Sequence, residues 1–181
     1  MSDVPEARLE QGDGGLAPAD DGWFVVNARH ARWVHHDELG SAVVFESHEH
    51  RFPHYGVNIQ VLQPGQPNCM YHGEEAQEDF LVLWGECLLL IEGEERPLKQ
   101  WDLVHCPPWT EHVFVGTGDG PCGILMVGAR NTGEGLIYPV NEVALRHGAG
   151  VETETPDGDV AYARFSPVVE GPYRDGDVPD L

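Results

Sequence analysis

Short stretches of the chain alternate between apolar and polar residues, and Gly or Pro residues separate one stretch from the next. Residues 57–62 (VNIQVL) are apolar at every second position, which is typical of a strand with one buried face. Residues 80–84 and 87–91 are nearly continuous apolar runs, as in strands that pack inside a core. Further apolar runs lie at residues 42–46, 102–106, 112–115 and 123–128. Short strands about ten residues apart predict an all-β sandwich or barrel.

The two ends of the chain lack this pattern. Residues 1–22 are rich in Gly, Pro and Asp, and we expect a flexible or loosely docked N-terminal arm. Residues 23–130 then form the barrel, and residues 131–181 form a C-terminal extension packed on the barrel or on a partner subunit. Within the extension, residues 139–147 predict a short helix, with Pro near its start and Gly just past its end. Residues 161–165 predict one more strand.

Composition limits the function classes. The 181 residues suffice for one domain with its arms, and 10 Lys and Arg against 31 Asp and Glu give a formal net charge of −21. Such a field repels phosphate backbones and anionic membranes, so we expect neither nucleic acid nor membrane as a partner. The four cysteines show no CxxC pairing, and the chain has neither an apolar spanning segment nor a recognisable N-terminal signal. These features predict a cytoplasmic protein.

Four residues with metal-binding side chains stand at the two ends of the strand region: His72, Glu74, Glu78 and His112. His72 and Glu74 are two residues apart, so a strand would place both on one face. If the strands close into a barrel, all four side chains can converge on one divalent ion, for which Zn, Fe(II), Mn, Ni or Co would be suitable. The alternative is a barrel without metal, in which these groups hydrogen-bond one another. We expect His105 to point outwards.

Two motifs carry a resemblance to a known family. Gly65 opens the first motif, and Glu78 followed by Gly85 has its acid-to-glycine spacing. Pro107 and His112 have the separation expected in the second motif. The stretch from Gly65 onwards resembles the cupin superfamily, and more narrowly an uncharacterised bacterial single-domain branch of it. The resemblance implies a double-stranded β-helix, or jelly-roll, barrel with N- and C-terminal arms.

The chain departs from these motifs in ways that matter for the site. With three residues before the acid, the paired histidines of the first motif are replaced by His72 and Glu74; with four, Tyr71 and Gly73 would take these positions and no histidine would remain. The glycines of the second motif are replaced by Trp101 and Trp109. The resemblance implies a divalent transition metal (Zn, Fe, Mn or Ni). The expected ligands of this metal are His72, Glu78 and His112, with Glu74 as a fourth ligand or as a catalytic general base.

Two functions follow as hypotheses. The first is a metal-dependent cupin enzyme that acts on a small organic substrate, of the isomerase, decarboxylase or dioxygenase type, because the fold does not choose between them. The alternative is a non-catalytic cupin that binds or senses a small ligand without metal, which the missing second histidine favours. A purely structural dimerising domain is a third, weaker possibility. Exposed barrel edges and the long tail predict a homodimer.

Overall fold

The computed structural model describes residues 3–130, 133 and 135–179, and nearly all regular structure in them is β. The strands are β1 (Leu9–Gln11), β2 (Leu16–Pro18), β3 (Arg32–His36), β4 (Gly40–Val44), β5 (Tyr55–Leu62), β6 (Gly73–Glu74), β7 (Glu78–Trp84), β8 (Glu86–Ile91), β9 (Glu94–Lys99), β10 (Leu103–Cys106), β11 (His112–Thr117), β12 (Cys122–Ala129), β13 (Leu136–Ile137) and β14 (Val169–Gly171). The helices are α1 (Glu142–Arg146) and α2 (Gly158–Ala161). Neither helix in this described part of the chain is long and apolar enough to cross a membrane.

Two antiparallel sheets form the body of the fold. The larger has seven strands in the order β10-β7-β12-β5-β4-β3-β14, and the smaller has three in the order β11-β8-β9. Isolated bridges between Pro67 and Val115 and between His72 and His112 lay the segment before β6 alongside β11. This segment widens the smaller sheet. The expected all-β double-stranded β-helix is confirmed.

The core lies between the two sheets because alternate residues of each strand face inwards. From the larger sheet, Phe80, Val82 and Ile124 enter the core, and from the smaller sheet Leu89 and Phe114 meet them. The rings of Phe80 and Phe114 lie 4.7 Å apart between centroids. Three cysteines are part of the same buried cluster: Cys87, Cys106 and Cys122. These cysteines are buried and pack among the apolar side chains of the cluster.

The N-terminal segment covers part of the outer surface of the larger sheet. β1 and β2 pair as a hairpin, and the backbone of Ala7 donates a hydrogen bond to Trp23. Trp33 of β3 is fully buried on the outer side, and its indole N–H donates to the Ala28 carbonyl at 2.8 Å. Residues 1–22 were expected to form a flexible or loosely docked arm. Those described form this ordered hairpin, and their mobility stays a prediction.

The C-terminal extension packs on the barrel of its own chain. β14 pairs with β3 as the last strand of the larger sheet, and Ala144 of α1 lies in a cluster against the outer side of the smaller sheet. The helix expected in residues 139–147 is present as α1, which Asn141 caps by accepting hydrogen bonds from two backbone N–H groups. The strand expected at residues 161–165 is wrong. Asp157 instead caps α2, and a turn follows that helix.

Candidate metal centre

Three strand positions bring one acid and two histidines to the same end of the barrel. Glu78 begins β7 and shares the inward face of that strand with Phe80. His112 begins β11 and shares the inward face with Phe114. His72 lies beside His112 because their backbones exchange two hydrogen bonds, His112 N–H to His72 O at 2.8 Å and the reverse bond at 3.2 Å. Strand register therefore fixes all three side chains.

The three side chains have the separations of a metal-ligand set. One ligand atom from each of His72, Glu78 and His112 lies within 4.8 Å of the other two. His112 Nε2 is 3.3 Å from Glu78 Oε2, and the two imidazole ring centroids are 5.1 Å apart. Ligands that each bind an ion at about 2.0 to 2.3 Å stand roughly 3 to 4.5 Å apart. The group is therefore close to the geometry of a bound divalent ion.

Backbone carbonyls orient both imidazoles. His72 Nδ1 lies 2.9 Å from the Met70 carbonyl, and His112 Nδ1 lies 2.9 Å from the Thr110 carbonyl. A carbonyl can only accept, so each Nδ1 carries a proton and Nε2 is the ring nitrogen that remains for another partner. Metal-binding histidines in proteins are commonly held in this way.

Glu78 has an unsatisfied oxygen at this point. Its Oε2 atom is buried and accepts no hydrogen bond within the described chain, although His112 Nε2 is its close neighbour. When His112 carries no proton on Nε2, two electron-rich atoms face each other in a site where His112 is only 2% exposed. Buried polar atoms without partners are uncommon and costly. A cation between the two atoms would satisfy both, so the residues present fit a metal ion.

The charges of the site shift one another's pKa values, and a proton on His112 Nε2 is the alternative to a metal ion as the partner of Glu78. Burial, and then the neighbouring His112, lower the pKa of His72. Burial also lowers the pKa of His112, but the Glu78 carboxylate opposes burial and the net pKa is raised. Burial and the charge of Glu78 raise the pKa of Glu74 to about 7. The two acids and His112 therefore interact strongly across a partly desolvated space.

Glu74 lies next to the group but outside it. It belongs to β6, whose backbone pairs with β13, and its carbonyl accepts a hydrogen bond from Trp109 N–H at 2.7 Å. Its carboxylate is not among the ligand atoms that lie within 4.8 Å of one another. Of the four residues expected from the sequence, the structure brings together His72, Glu78 and His112, and it places Glu74 beside them.

Comparison with known proteins identifies the barrel. Residues 58–128 match the family described as "Cupin domain". This part of the chain is a cupin domain. The match covers the strands that carry Glu78 and His112 and includes His72. No curated protein matches the chain.

Solved structures show the same fold in proteins of different kinds. The polyketide cyclase RemF from Streptomyces resistomycificus superimposes with a TM-score of 0.53 at 16% identity, over 61% of this chain and 81% of that one. A predicted oxalate decarboxylase from Thermotoga maritima gives a TM-score of 0.50 at 19% identity, over 59% and 98%. A structure from Acidithiobacillus ferrooxidans gives a TM-score of 0.42 at 24% identity. That alignment includes 46% of this chain and 54% of the other, so this chain spans about half the length of that protein. At these identities the likeness shows the fold alone.

The other residues that the sequence singled out lie away from the site or beside it. His105 is exposed, as expected, and its Nδ1 is 2.7 Å from Asp79 Oδ1. Trp101 and Trp109 replace motif glycines and retain a glycine-like backbone, with φ of 75° and 70°. A bulky residue in this region is strained. Trp109 borders the site through its bond to Glu74.

Sequence reasoning missed the polar residues on the inner wall. In β5, Val57, Ile59 and Val61 face outwards, so Asn58 and Gln60 face into the cupin barrel. Gln60 also helps to line a cavity of about 220 Å³ that the C-terminal extension closes with Tyr162. The alternation of this strand is visible in the sequence, but it does not tell which of the two faces points into the barrel.

Proposed function

We propose that this cupin binds a divalent transition metal ion through His72, Glu78 and His112 and acts with it on a small organic ligand in the barrel. The observation that carries the proposal is the convergence of the three side chains on a buried Glu78 Oε2, which accepts no hydrogen bond from the described chain and lies 3.3 Å from His112 Nε2. Two imidazoles and one carboxylate are ligands suited to Fe, Mn, Ni or Zn, and they leave positions open for a ligand. The ion would supply Lewis acidity at a ligand oxygen.

Glu74 has the properties of the acid–base group in such a site. It is half-buried beside the three ligands, and burial and the charge of Glu78 raise its pKa to about 7. A carboxyl group of this kind can hold or release a proton near neutral pH. We assign Glu74 the role of general base towards the bound organic ligand, with direct metal binding as the alternative role.

The reaction type stays open between isomerase, decarboxylase and dioxygenase chemistry. The polyketide cyclase and the predicted oxalate decarboxylase have the same barrel fold but are named for different reactions. The amides of Asn58 and Gln60 on the inner wall favour an organic ligand with oxygen or nitrogen groups for hydrogen bonding. The alternative function is ligand binding or sensing without metal, and it is favoured by Glu74 at the position of the second motif histidine. The cytoplasmic location stays a prediction.

Metal analysis separates the two functions. Protein purified without chelator, or reconstituted with Fe(II), Mn, Ni or Zn after chelation, should hold about 1 equivalent of metal per chain. His72→Ala and His112→Ala should each lose it while the circular dichroism spectrum keeps its β signature. His105→Ala is the matched control, because His105 is exposed and pairs with Asp79 outside the site. Less than about 0.1 equivalent in the reconstituted wild type would contradict the metal proposal and favour the sensing function.

Glu74→Gln distinguishes its two possible roles. If Glu74 is a general base, the variant should retain the full metal content and affinity of the wild type. If it is a ligand, metal affinity should fall by about 10- to 100-fold or more, measured by competition with a chromophoric chelator. Unchanged metal affinity combined with unchanged turnover of an identified substrate would leave Glu74 without either role.

A further inference from the structure

The inner wall of the cupin barrel has a filled half and a half that solvent reaches. In the filled half, Phe80, Val82 and Phe114 are buried in one apolar cluster. The other half, which we call the open wall, is formed by partly exposed, inward-facing residues of β4, β5 and β12. The residues of the open wall are Ala42, Val44, Gly56, Asn58, Gln60, Met126 and Gly128. A ligand inside the barrel would therefore lie against the open wall.

The backbone register places Asn58 of the open wall one row from the candidate metal centre. Asn58 lies opposite Met126, and Met126 lies opposite Phe80, in one row across three strands. The next row towards the barrel end contains Gly128 and Glu78. Two strand spacings, roughly 10 Å in total, separate Asn58 from the strand of Glu78, and a small organic molecule can span this distance.

The side chain of Asn58 contains an atom that the protein leaves unpaired. Its Oδ1 is buried and accepts no hydrogen bond from the described residues. Two other amides of the barrel are bonded. Asn68 Oδ1 accepts a hydrogen bond from Phe114 N–H at 2.8 Å, and Gln60 Nε2 donates to the Leu39 carbonyl at 2.8 Å. Buried polar atoms without partners are uncommon, and a ligand that donates a proton to Oδ1 would account for this one.

The amide of Asn58 discriminates between ligand groups because it contains both a donor and an acceptor. A hydroxyl group can donate to the amide oxygen and accept from the amide nitrogen, whichever way the amide is turned. A carboxylate only accepts, so it leaves the amide oxygen unpaired. Sites built to bind a hydroxyl group reject analogues that lack it, since a buried polar group then loses its partner.

The charges around the open wall also disfavour an anionic group beside Asn58. The sequences of β4, β5, β7, β11 and β12, which the structure describes in full, contain no Lys or Arg. Arg130 directly follows β12, but Glu46 binds its guanidinium at 2.7 and 2.8 Å, and the Phe52 carbonyl accepts a further bond at 2.7 Å. A carboxylate buried against Asn58 would therefore lack a counter-ion, which is costly.

We propose that the ligand of this cupin is an uncharged, hydroxylated organic molecule that places a hydroxyl group against the Asn58 amide. This rests on the function proposed above, in which the ligand binds in the barrel and reaches the candidate metal centre with its other end. Asn58 is then a specificity-determining residue, because its amide distinguishes a hydroxyl group from a carboxylate. Met126, in the same row, offers a flexible apolar surface to the carbon skeleton between the two ends.

Isothermal titration calorimetry with two matched probes tests the proposal. Protocatechuyl alcohol and protocatechuate share a catechol, which can bind a metal ion, and differ only in the hydroxymethyl or carboxylate group at the other end. Zn-loaded wild type should bind the alcohol at least about 10-fold more tightly than the carboxylate. Asn58→Leu should weaken binding of the alcohol by about 10-fold and change binding of the carboxylate by less than about 3-fold, with unchanged zinc content.

The stability of the variant separates a ligand contact from a structural role. Asn58 Oδ1 is unsatisfied in the ligand-free chain, so Asn58→Leu should keep or raise the melting temperature measured by circular dichroism. Gln100→Leu is the matched control, because Gln100 is exposed and its amide donates to the Leu83 carbonyl away from the barrel interior. Both probe affinities should stay unchanged in this control.

Binding of the carboxylate as tightly as the alcohol would overturn the proposed ligand class, and so would binding of neither probe at about 10 mM. An alcohol affinity that Asn58→Leu leaves unchanged would overturn the role of Asn58. Zinc analysis of the same samples keeps these results apart from the proposed function. A chain that holds no zinc contradicts metal binding, and the preference of that metal-free chain between the two probes still decides the ligand class.

Discussion

Replacing Glu78 by Gln should stabilise the metal-free protein while it removes metal binding. At a pH where His112 carries no proton on Nε2, the buried Glu78 Oε2 atom of the metal-free chain has no hydrogen bond and lies 3.3 Å from that bare nitrogen. A glutamine of the same shape carries no charge, and its amide N–H can donate across the 3.3 Å gap to that Nε2. Evolution commonly retains such destabilising residues because a site requires them.

The size of the gain follows from the unsatisfied oxygen. A buried acceptor without a partner costs about 1 to 3 kcal/mol, and a new hydrogen bond contributes about 1 kcal/mol. The glutamine carbonyl keeps part of the original cost, so we expect a net gain of about 1 to 2 kcal/mol in the free energy of unfolding. For a chain of this length that gain raises the melting temperature by about 2 to 8 °C.

The measurement is urea unfolding of chelator-treated protein at pH 8, followed by circular dichroism, with metal content measured in parallel. Glu154→Gln is the control, because Glu154 is exposed and its replacement should change the unfolding free energy by less than about 0.5 kcal/mol. A Glu78→Gln protein that is less stable than the metal-free wild type by more than about 1 kcal/mol would refute the reasoning. It would mean that the carboxylate makes a favourable bond in the metal-free state.

Two further predictions concern ion pairs that attach the chain ends and loops. Glu46→Gln should lower the free energy of unfolding by about 2 to 3 kcal/mol, because it breaks a two-point pair with Arg130 at 2.7 and 2.8 Å around a carboxylate that is 5% exposed. Arg96→Ala breaks an exposed pair and should change urea unfolding by less than about 0.5 kcal/mol; an equal loss in both variants would contradict the distinction. The hydrogen bond from Arg32 lowers the pKa of Glu170 in the folded chain, so this pair stabilises above the unfolded pKa of about 4.3 and its contribution is lost as pH falls through the lower folded pKa. Unfolding curves from pH 6 to 3 should therefore lose less stability in Glu170→Gln than in the wild type, and parallel curves would argue against it.

The barrel and much of the candidate site could be predicted because both depend on the alternation of inward and outward residues along single strands. Alternation along β7 puts Glu78 on the face of Phe80, and alternation along β11 puts His112 on the face of Phe114. The spacing of each motif then brings the two strands to the same end. Whether His72 or an adjacent residue faces the site depends on a shift of one residue in strand register. The two backbone hydrogen bonds between His72 and His112 fix that register.

What could not be predicted depends on contacts between distant segments. β9 has the sequence EERPLK, which is mostly exposed, and it is a strand because β8 pairs with it along its full length. Asn58 points into the barrel because its apolar neighbours in β5 point outwards. There Ile59 packs in a cluster with residues from both ends of the chain. A single strand contains no information about which of its faces another segment will cover. The docking of β14 on β3 likewise joins residues more than 130 positions apart.

The pairing of β13 with β6 has a consequence for how the protein is made. Ile137 lies opposite Gly73 and Leu136 opposite Glu74, and the ring of Tyr138 is 6.0 Å from that of His72. A ribosome that has just added residue 128, where the cupin domain ends, has synthesised all three residues of the candidate site but not the strand beside them. The wall that β13 contributes is therefore added after the candidate ligands, and a nascent chain stalled before β13 should present them without that cover.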